Sequence, residues 1–367
     1  MKYFIIAGEA SGDLHGSRLV ARLKELDKDA ILKAWGGDLM ASAGAEIMKH
    51  YRELAFMGFV EVLLNIRTIL QNIRLCKKQI LSFKPDAIVF IDYPGFNLRL
   101  VQWAKANGYR TFYYISPQLW AWKEGRVKHI KSSVDKLFTI LPFENEFYKK
   151  HAVYPEFVGH PLLEIIKDFA PDEEVNQLLK NKKIVALLPG SRKQEISKML
   201  PVFLRTAELF PEYTPVIAAA PSIPMKFYTE IIRAMNTKSD PMVIQSKTYS
   251  ILNKASLAWV SSGTATLETA LFGVPQIVCY AGNKISYLIA KRLVKIKYIS
   301  LVNLILDRPL IKELIQDEFT IANLEKETRK LNPQQIKVEY RHLHDLLLPE
   351  NTSFRVAQSI IESILPS

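Results

Sequence analysis

The fold of this chain is constrained most by a series of short apolar runs that carry no polar residue at alternate positions. Ala87–Ile91, for example, contains only apolar residues. Such runs are typical of parallel strands that are covered on both faces, whereas a half-exposed strand alternates apolar and polar residues. Amphipathic stretches with helical spacing separate the runs. This alternation predicts an α/β fold built on doubly wound parallel sheets.

The expected strands fall into two series. The first comprises Phe4–Ala7, Ile31–Ala34, Ala87–Ile91, Thr111–Ile115, Leu137–Ile140 and Glu156–Val158. The second comprises Ile184–Leu188, Val216–Ala219, Met242–Ile244, Leu257–Val260 and Gln276–Val278. The pattern breaks near Gly159–Pro171, and 367 residues correspond to about two domains. We therefore expect one domain over residues 1–165 and a second from residue 166, with only helices after about Thr320.

Composition excludes several classes of protein. The two cysteines, Cys76 and Cys279, form no disulfide framework, which favours a reducing compartment. The longest charge-free stretch, Thr269–Asn283, is shorter than the roughly 20 residues of a spanning helix. No signal peptide is expected at the N-terminus. The net charge of +12 favours nucleic acid, anionic membranes or phosphorylated substrates as partners.

Ligands of open α/β sheets bind beyond the carboxyl ends of the strands, so the loops that follow strands are the candidate sites. The first is Gly8–Asp13, before a helix expected to start near Leu14. Its glycines allow a tight turn, and a helix N-terminus can hold an anion. The alternative is a plain turn in which Asp13 caps its own helix. The chain contains no G-x-G-x-x-G pattern, which argues against a dinucleotide-binding enzyme.

A second loop, Leu188–Arg192, follows a strand and precedes a helix expected near Ile196. Gly190 and Ser191 offer backbone N–H groups, and the Arg192 guanidinium suits a bidentate phosphate contact. The alternative is an arginine exposed in an ordinary turn.

A third loop carries small and hydroxyl residues, Ser262, Gly263 and Thr264, at the start of a helix. These groups suit phosphate oxygens, and Glu268 lies one helical turn further on the same face. A carboxylate there could accept hydrogen bonds from the vicinal diol of a ribose, although Thr264 and Glu268 also resemble a helix cap. Together with Leu188–Arg192, this loop points to a nucleoside diphosphate.

A fourth loop, Ile91–Asn97, places Asp92 directly after the most apolar strand. Burial there would raise the pKa of the carboxyl toward that of a useful general base. The alternative is a turn residue that caps the following helix.

Metal sites are not expected. The D-x-D at Asp27–Asp29 lies at the polar end of a helix, and His342 and His344 lie on a late, exposed helix. Without a metal, the charge of a leaving diphosphate must be met by Arg192, backbone N–H groups and helix dipoles.

One stretch is unusually apolar for a surface helix. Phe56–Ile73 carries Phe59, Val60, Leu63, Ile66 and Leu70 on one face and is followed by cations. Such a helix could enter a bilayer interface, although composition alone favours a core helix. A second basic amphipathic stretch, Lys284–Lys297, has the alternatives of a solvated face or nucleic-acid contact, but no nucleic-acid module accompanies it.

These motifs occur in an order that resembles the lipid-A-disaccharide synthases, inverting glycosyltransferases of lipid A assembly in Gram-negative bacteria. The resemblance runs nearly end to end. The matching segments are Gly8–Asp13, Met57–Leu63, Ile91–Asn97, Ser116–Trp122, Leu141–Glu144, Gly159–Pro161, Leu187–Arg192, Ser262–Glu268 and Ala290–Asn303.

The resemblance implies a GT-B fold: two Rossmann-like domains with a cleft, and a C-terminal helical segment, about residues 340–367, that returns to the first domain. The second domain would then span residues 166–339 and bind a UDP-sugar. The implied reaction transfers 2,3-diacylglucosamine from its UDP derivative to the 6-hydroxyl of 2,3-diacylglucosamine 1-phosphate (lipid X), giving a β-1,6-linked disaccharide 1-phosphate and UDP. No cofactor and no nucleic acid are expected.

The resemblance also assigns roles to residues. Asp92 takes the position of the proposed general base, and the acceptor-side loop contains Glu9, Ser11, Gly12 and Asp13. Arg192, Glu268 and Asn303 would serve the UDP. The sequence departs from the family at two positions: Gly95 stands where members often have Asp, and Val302 replaces the usual proline before Asn303.

The resemblance further shifts Phe56–Ile73 toward membrane and acyl-chain contact. The protein is then expected in the cytoplasm, peripherally attached to the anionic cytoplasmic face of the inner membrane. The helical tail beyond Thr320 could be exchanged between subunits, which allows a homodimer. Rival interpretations are another GT-B glycosyltransferase, a UDP-sugar epimerase, and a non-catalytic basic membrane-binding protein.

Overall fold

The computed structural model of the chain describes residues 1–54, 66–282 and 297–365. It divides into two compact units. The first contains Met1–Glu164 together with the chain from Leu347 onward, and the second contains Ile165–Leu346. The chain therefore returns to the first unit at Leu347, where the resemblance implied a return at about residue 340.

The first unit is built on a seven-stranded sheet in the order β3-β2-β1-β4-β5-β6-β7. Its strands are β1 (Lys2–Ala7), β2 (Ile31–Gly36), β3 (Glu46–His50), β4 (Ala87–Ile91), β5 (Arg110–Tyr114), β6 (Lys136–Thr139) and β7 (Glu156–Phe157). Its helices are α1 (Ala10–Leu26), α2 (Asp38–Ser42), α3 (Ile66–Phe83), α4 (Pro94–Ala106), α5 (Val127–Ser133), α6 (Glu144–Lys149), α7 (Pro161–Lys167, which crosses into the second unit) and the last helix, numbered α16 below.

The second unit is built on a six-stranded sheet in the order β10-β9-β8-β11-β12-β13. Its strands are β8 (Ile184–Leu188), β9 (Thr214–Ala219), β10 (Met242–Gln245), β11 (Ala255–Ser261), β12 (Gln276–Tyr280) and β13 (Glu313–Ile315). Its helices are α8 (Glu173–Leu178), α9 (Lys193–Ala207), α10 (Met225–Met235), α11 (Thr248–Leu252), α12 (Thr264–Leu271), α13 (Leu301–Leu306), α14 (Ile321–Arg329) and α15 (Pro333–Leu346). The final helix of the chain, α16 (Thr352–Ile364), belongs to the first unit.

Each sheet is covered by helices on both faces. In β1, Ile5 lies in the core beneath α1 and α16, whereas its neighbour Ile6 lies in the core beneath α3 and α4. Both side chains are fully buried. In the second unit, β8 divides its residues in the same way between a layer with α9 and α14 and a layer with α8 and α11. This burial on both faces is why the strands lack polar alternation.

The expected fold class is confirmed, since every strand pairing in the described part of the chain is parallel. Each of the expected strands is present. Two further strands, β3 and β13, were not expected, and each lies at the edge of its sheet. An edge strand has a partner on one side only, so it needs neither a continuous apolar run nor much length.

The order of the strands creates a switch point in each sheet. The chain runs from β1 outward to β2 and β3 on one side, and β4 lies on the other side of β1. In the second sheet, β8 lies between β9 and β11 in the same way. Loops that leave such neighbouring strands diverge, which opens a crevice at the carboxyl ends where ligands of α/β proteins bind. The candidate loops leave these four strands: β1, β4, β8 and β11.

Candidate active site

Asp92 lies at the switch point of the first sheet, immediately beyond β4. Its backbone has a φ of 43°, and the next residue, Tyr93, has a φ of 48°. Two donors hold the Asp92 carbonyl: the Tyr113 hydroxyl at 2.6 Å and the Asn97 amide at 2.8 Å. Tyr93 is the N-cap of α4 and takes no side-chain cap. The alternative of Asp92 as a helix cap is therefore wrong, because Tyr93 is the N-cap of α4 and no side chain makes a capping hydrogen bond there.

Backbone strain extends to the adjacent strand. Ile91 of β4 pairs with Tyr114 of β5, so the next residues along, Asp92 and Ile115, are neighbours at the edge of the sheet. Ile115 has a φ of 62°, which is a true outlier for a β-branched residue. Strained residues of this kind persist where the surroundings hold them and are concentrated at functional sites.

The environment of Asp92 raises its pKa to about 6, first through burial and second through the negative charge of Glu9. The Tyr93 N–H opposes the rise by hydrogen bonding. Glu9 follows β1, whose Ala7 pairs with Ile91 of β4, and this pairing brings the two acids to one place. A carboxyl with this pKa is a carboxylate at neutral pH, yet it is basic enough to take a proton.

The first loop differs from its expected form. Helix α1 begins at Ala10, with exposed Glu9 as its N-cap, so Gly12 and Asp13 are buried within its first turn. The Asp13 carboxylate accepts hydrogen bonds from the N–H groups of Gly37, Leu39 and Met40 at 2.7–3.1 Å. The alternative that Asp13 caps its own helix is wrong, because it instead satisfies the free N–H groups at the start of α2. Of the four residues that the resemblance assigned to the acceptor side, Glu9 and Ser11 are exposed.

The second loop follows β8, and α9 begins directly after it at Lys193. Gly190 has a φ of 113°, a conformation that favours glycine. The carboxylate of Glu195 lies over this turn. It accepts from the Ser191 N–H at 3.2 Å and from the Arg192 guanidinium at 2.8 Å. No motif in the sequence pointed to Glu195, which here occupies the N–H and guanidinium groups that were expected to bind an anion.

The third loop follows β11, the neighbour of β8. Leu188 pairs with Val260, so the second and third loops leave the sheet side by side. Gly263 has a φ of 145° and is the N-cap of α12. Gly263 and Thr264 are exposed, and the first N–H groups of a helix have no partner within it. The structure therefore brings both expected diphosphate loops to one crevice of the second unit.

Glu268 is half-buried on α12 and accepts a hydrogen bond from the Tyr249 hydroxyl at 2.8 Å. Burial raises the pKa of Glu268, and the Tyr249 hydrogen bond opposes the rise. The alternative of a helix cap is not supported, because the partner of the carboxylate is a side chain of α11. Tyr249 itself packs against Phe272 and Phe169. No motif in the sequence pointed to Tyr249.

Asn303 is 1% exposed, and its side chain is used inside the second unit. Its amide donates to the Ile311 carbonyl at 2.8 Å and to Glu313 at 3.0 Å, while its oxygen accepts from the Ile311 N–H at 3.0 Å. The expectation that Asn303 serves UDP directly therefore needs correction, because its amide is already bonded to protein groups.

The network around Asn303 leads to the third loop. The Glu313 carboxylate accepts from the N–H groups of Ile299 and Ser300 at 3.0 Å and from the Ser300 hydroxyl at 2.8 Å. The carbonyl of Ile299 in turn accepts a hydrogen bond from the Ser262 hydroxyl at 2.9 Å. Glu313 belongs to β13, one of the two strands that the sequence analysis missed.

Of the residues expected at a membrane, Phe59, Val60 and Leu63 lie outside the described residues, as does the side chain of Ile66. Leu70 on α3 is 47% exposed. Ile73, one turn further, packs in the core of the first unit, as a core helix requires. In the basic stretch Lys284–Lys297, only Lys297 is described, and it pairs with Asp307 at 2.9 Å.

Within residues 1–54, 66–282 and 297–365, no group of three or more histidine, cysteine, aspartate or glutamate side chains could hold a metal ion. Over the same residues, none of the helices has both the length and the apolar character needed to cross a membrane.

Comparison with solved structures identifies the fold. A Staphylococcus aureus protein solved with UDP (MnaA) has a TM-score of 0.70 at 12% identity, covering 100% of this chain and 99% of that one. A UDP-GlcNAc 2-epimerase from Neisseria meningitidis bound to UDP-GlcNAc has a TM-score of 0.63 at 11% identity, with 99% of each chain covered. CalG4, the calicheamicin glycosyltransferase, has a TM-score of 0.61 at 15% identity, covering 99% and 98%. The chain thus has the GT-B fold shared by glycosyltransferases and these epimerases.

Sequence comparison identifies the family. The family model described as Lipid-A-disaccharide synthetase matches residues 3–361. A lipid-A-disaccharide synthase from Syntrophus aciditrophicus is 37% identical over 94% of this chain and 92% of its own. The enzyme of that name from Coxiella burnetii (strain CbuG_Q212) is 36% identical over 97% and 96%. The chain belongs to the lipid-A-disaccharide synthase family of glycosyltransferases.

Proposed function

We propose that this protein transfers 2,3-diacylglucosamine from its UDP derivative to the 6-hydroxyl of 2,3-diacylglucosamine 1-phosphate, with inversion at the anomeric carbon. The proposal rests on the different groups that lie at the switch points of the two sheets: an acid at one, and N–H groups with an arginine at the other. A carboxyl whose pKa is raised to about 6 lies at one of them. Two neighbouring loops rich in N–H groups, with Arg192, lie at the other.

The donor is assigned to the second unit. The exposed guanidinium of Arg192 and the N–H groups of Gly190 and Ser191 would bind the diphosphate. The start of α12 at Gly263 and Thr264 would add its dipole. Glu268 would accept hydrogen bonds from the ribose hydroxyls, with Tyr249 holding one of its oxygens at 2.8 Å. Arg192, the N–H groups and the helix dipole would stabilise the negative charge of the leaving UDP.

The acceptor is assigned to the first unit, at the loops that carry Asp92, Glu9 and Ser11. Asp92 takes the proton of the 6-hydroxyl as that oxygen attacks the anomeric carbon of the donor. The bond between the anomeric carbon and the β-phosphate oxygen breaks, and its electron pair leaves with UDP. Because the attack comes from the face opposite the leaving group, an α-linked donor gives a β-1,6 product.

Attachment to the anionic cytoplasmic face of the inner membrane is part of the proposal. The net charge of +12 supports it, as does the exposed Leu70 on a helix that also carries Arg67 and Arg74. Both substrates carry acyl chains, so an enzyme at the membrane surface meets them where they are concentrated.

Asp92→Asn tests the general base. Asn keeps the size of the side chain but cannot take the proton, so kcat at saturating substrates should fall about 10²- to 10⁴-fold. The measurement is UDP release with both substrates, with circular dichroism to confirm the fold. Turnover close to that of the native enzyme would remove Asp92 from this role.

A UDP-sugar epimerase is the second candidate, because solved epimerases share this fold. The two functions differ in their need for an acceptor. Free UDP should form only when both substrates are present, and neither alone should give it. Conversion of a UDP-sugar to its epimer without an acceptor would instead favour the second candidate.

A further inference from the structure

The segment that follows β5 is held rigidly by a buried acid. Glu144 is 1% exposed. One of its oxygens accepts from the Ser116 hydroxyl at 2.6 Å and from the Trp120 indole at 3.2 Å. The other accepts from the N–H groups of Ile140 and Leu141 at 3.2 and 3.0 Å. This carboxylate therefore ties the loop after β5 to the loop after β6, at the carboxyl edge that also carries Asp92.

Beyond this fixed part, the loop presents an aromatic ring to solvent. Trp122 is 47% exposed, although Trp120, two residues earlier, is bonded to Glu144. The ammonium of Lys123 lies 4.0 Å from the centroid of the Trp122 ring. Lys123 has a φ of 59°, so the backbone is turned at the residue that carries the charge. An exposed indole on an anchored loop is a rigid stacking surface.

A second cation, Arg126, lies one turn after the first, since its backbone N–H donates to the Lys123 carbonyl at 2.9 Å. Burial and the positive charge of Arg126 both lower the pKa of Lys123. Within the described part of the chain, neither Lys123 nor Arg126 makes an ion pair with a carboxylate, whereas the intervening Glu124 is bonded to His151 at 3.0 Å. Two cations that repel each other are stabilised by an anion that neutralises both.

We propose that Trp122, Lys123 and Arg126 form a subsite for a phosphorylated sugar, with the ring of the sugar against the indole and its phosphate between the two cations. The subsite rests on the proposed function and assigns to these residues the 1-phosphate end of the acceptor. It would orient the acceptor at the edge of the sheet where its 6-hydroxyl must meet Asp92.

The headgroup of an anionic phospholipid offers similar chemistry, a phosphate next to apolar groups. The anchored loop favours the sugar phosphate, because a fixed arrangement of ring and cations is complementary to one small, rigid ligand. A lipid surface needs only charge and apolar area, without fixed geometry. The experiment must therefore distinguish binding of the acceptor phosphate from binding to the membrane alone.

The kinetic test compares Lys123→Gln and Trp122→Ala with the native enzyme. Lys123→Gln should raise the KM for the acceptor about tenfold, since it removes a charge-assisted contact. The KM for the donor should stay within about twofold of the native value. Trp122→Ala should act in the same direction, and Trp122→Phe should recover part of the loss because it keeps a ring for stacking. Lys128→Gln, which removes an exposed cation from α5, is the matched control.

An acceptor analogue without the 1-phosphate tests whether Lys123 contacts that phosphate. With this analogue, the native enzyme and Lys123→Gln should have similar KM values, because the phosphate that distinguishes them is absent. An unchanged acceptor KM in Lys123→Gln and Trp122→Ala would overturn the proposal. If these variants lost only their binding to vesicles of anionic phospholipid, the residues would be membrane contacts and the proposal would likewise be wrong.

A binding measurement separates this proposal from the proposed function. Glucosamine 1-phosphate should change the tryptophan fluorescence of the native protein in a saturable way, and the change should be absent in Trp122→Phe and weakened in Lys123→Gln. This result would support the subsite even if no transfer activity were found. Transfer activity with no such binding difference would leave the proposed function intact and refute the subsite.

Discussion

Acidic side chains occupy the decisive positions of both units, and their hydrogen-bond partners determine what each can do. The Asp13 carboxylate accepts hydrogen bonds from three backbone N–H groups and thereby holds the start of α2. Glu195 accepts hydrogen bonds from a backbone N–H and from an exposed guanidinium, and a ligand can compete for these two donors. Burial and, second, the negative charge of Glu9 raise the pKa of Asp92 to about 6. A carboxylate therefore stabilises the fold in Asp13. In the proposed mechanism it competes with a ligand in Glu195 and acts as a base in Asp92.

Glu9→Gln should shift the pH dependence of catalysis. In the proposed mechanism the ionised form of Asp92 is the active one, so kcat should fall as the pH falls through the raised pKa near 6. Removing the neighbouring charge lowers that pKa, and the acid limb should move to lower pH. The shift should be only part of the total rise, because burial is the larger cause. The measurement is a pH profile of kcat.

Glu25→Gln, an exposed acid at the far end of α1, should leave that profile unchanged. An acid limb that does not move in Glu9→Gln would mean that the limb reports a group other than Asp92.

Glu195→Gln should strengthen the binding of UDP. In the native chain the carboxylate is bonded to the Ser191 N–H and to Arg192, so it would compete with the proposed diphosphate for these groups. Gln keeps an acceptor for the N–H but removes the negative charge. Because exposed ion pairs contribute about 0–1 kcal/mol, the Kd should fall by up to about fivefold. Calorimetric titration with UDP measures this change, and Glu230→Gln on α10 is the control for loss of one charge. Weaker binding would mean that Glu195 chiefly orients Arg192.

At the scale of elements, a buried and a half-buried carboxylate connect loops to one another at the carboxyl edges of the two sheets. Glu144 of α6 connects the loops after β5 and β6. Glu313 of β13 fixes the segment at Ile299 and Ser300, which contacts Ser262 of the third loop. These contacts join residues far apart in sequence, so the shape of each candidate site depends on elements that carry no ligand-binding motif.

Glu313→Gln should loosen the third loop. Gln replaces one acceptor oxygen with a donor, which leaves an N–H or hydroxyl of the network unsatisfied at a cost of about 1–3 kcal/mol. We expect a lower melting temperature and a higher KM for the donor, with the KM for the acceptor unchanged. Glu318→Gln, an exposed acid whose distance to Lys312 is 3.8 Å, is the control. An equal rise in both KM values would indicate a general loss of structure instead.

The sequence predicts the elements of the interior better than those at the edges. Ala87–Ile91 is recognisable because a strand buried on both faces has to be apolar throughout. Glu313–Ile315 is short, and its first residue serves the hydrogen-bond network, so it has no strand pattern. Asn303 shows the same limit of sequence-based prediction at the candidate site. A motif placed it near UDP, but only the folded chain reveals that Ile311 and Glu313 occupy its amide.

At the scale of the whole molecule, the two units repeat one architecture with different loop chemistry. Each is a parallel sheet with a switch point between its first strand and the strand that begins its second half. The first unit places acids at that point, and the second places N–H groups and an arginine there. Each unit has its own core. A ligand that binds only one unit should therefore stabilise that unit selectively.

UDP alone should stabilise the second unit and not the first. At 100 times its Kd, a ligand that binds only the folded form adds about 2.7 kcal/mol to the free energy of unfolding. Hydrogen exchange should then slow in the peptides that contain Leu188–Glu195 and Ser261–Glu268 and in the sheet that carries them, while the strands β1 and β4 keep their rates. Arg192→Ala should reduce this protection, because it removes the cation nearest the proposed diphosphate. Protection confined to β1, β4 and their loops would place the nucleotide on the first unit and reverse the assignment of donor and acceptor.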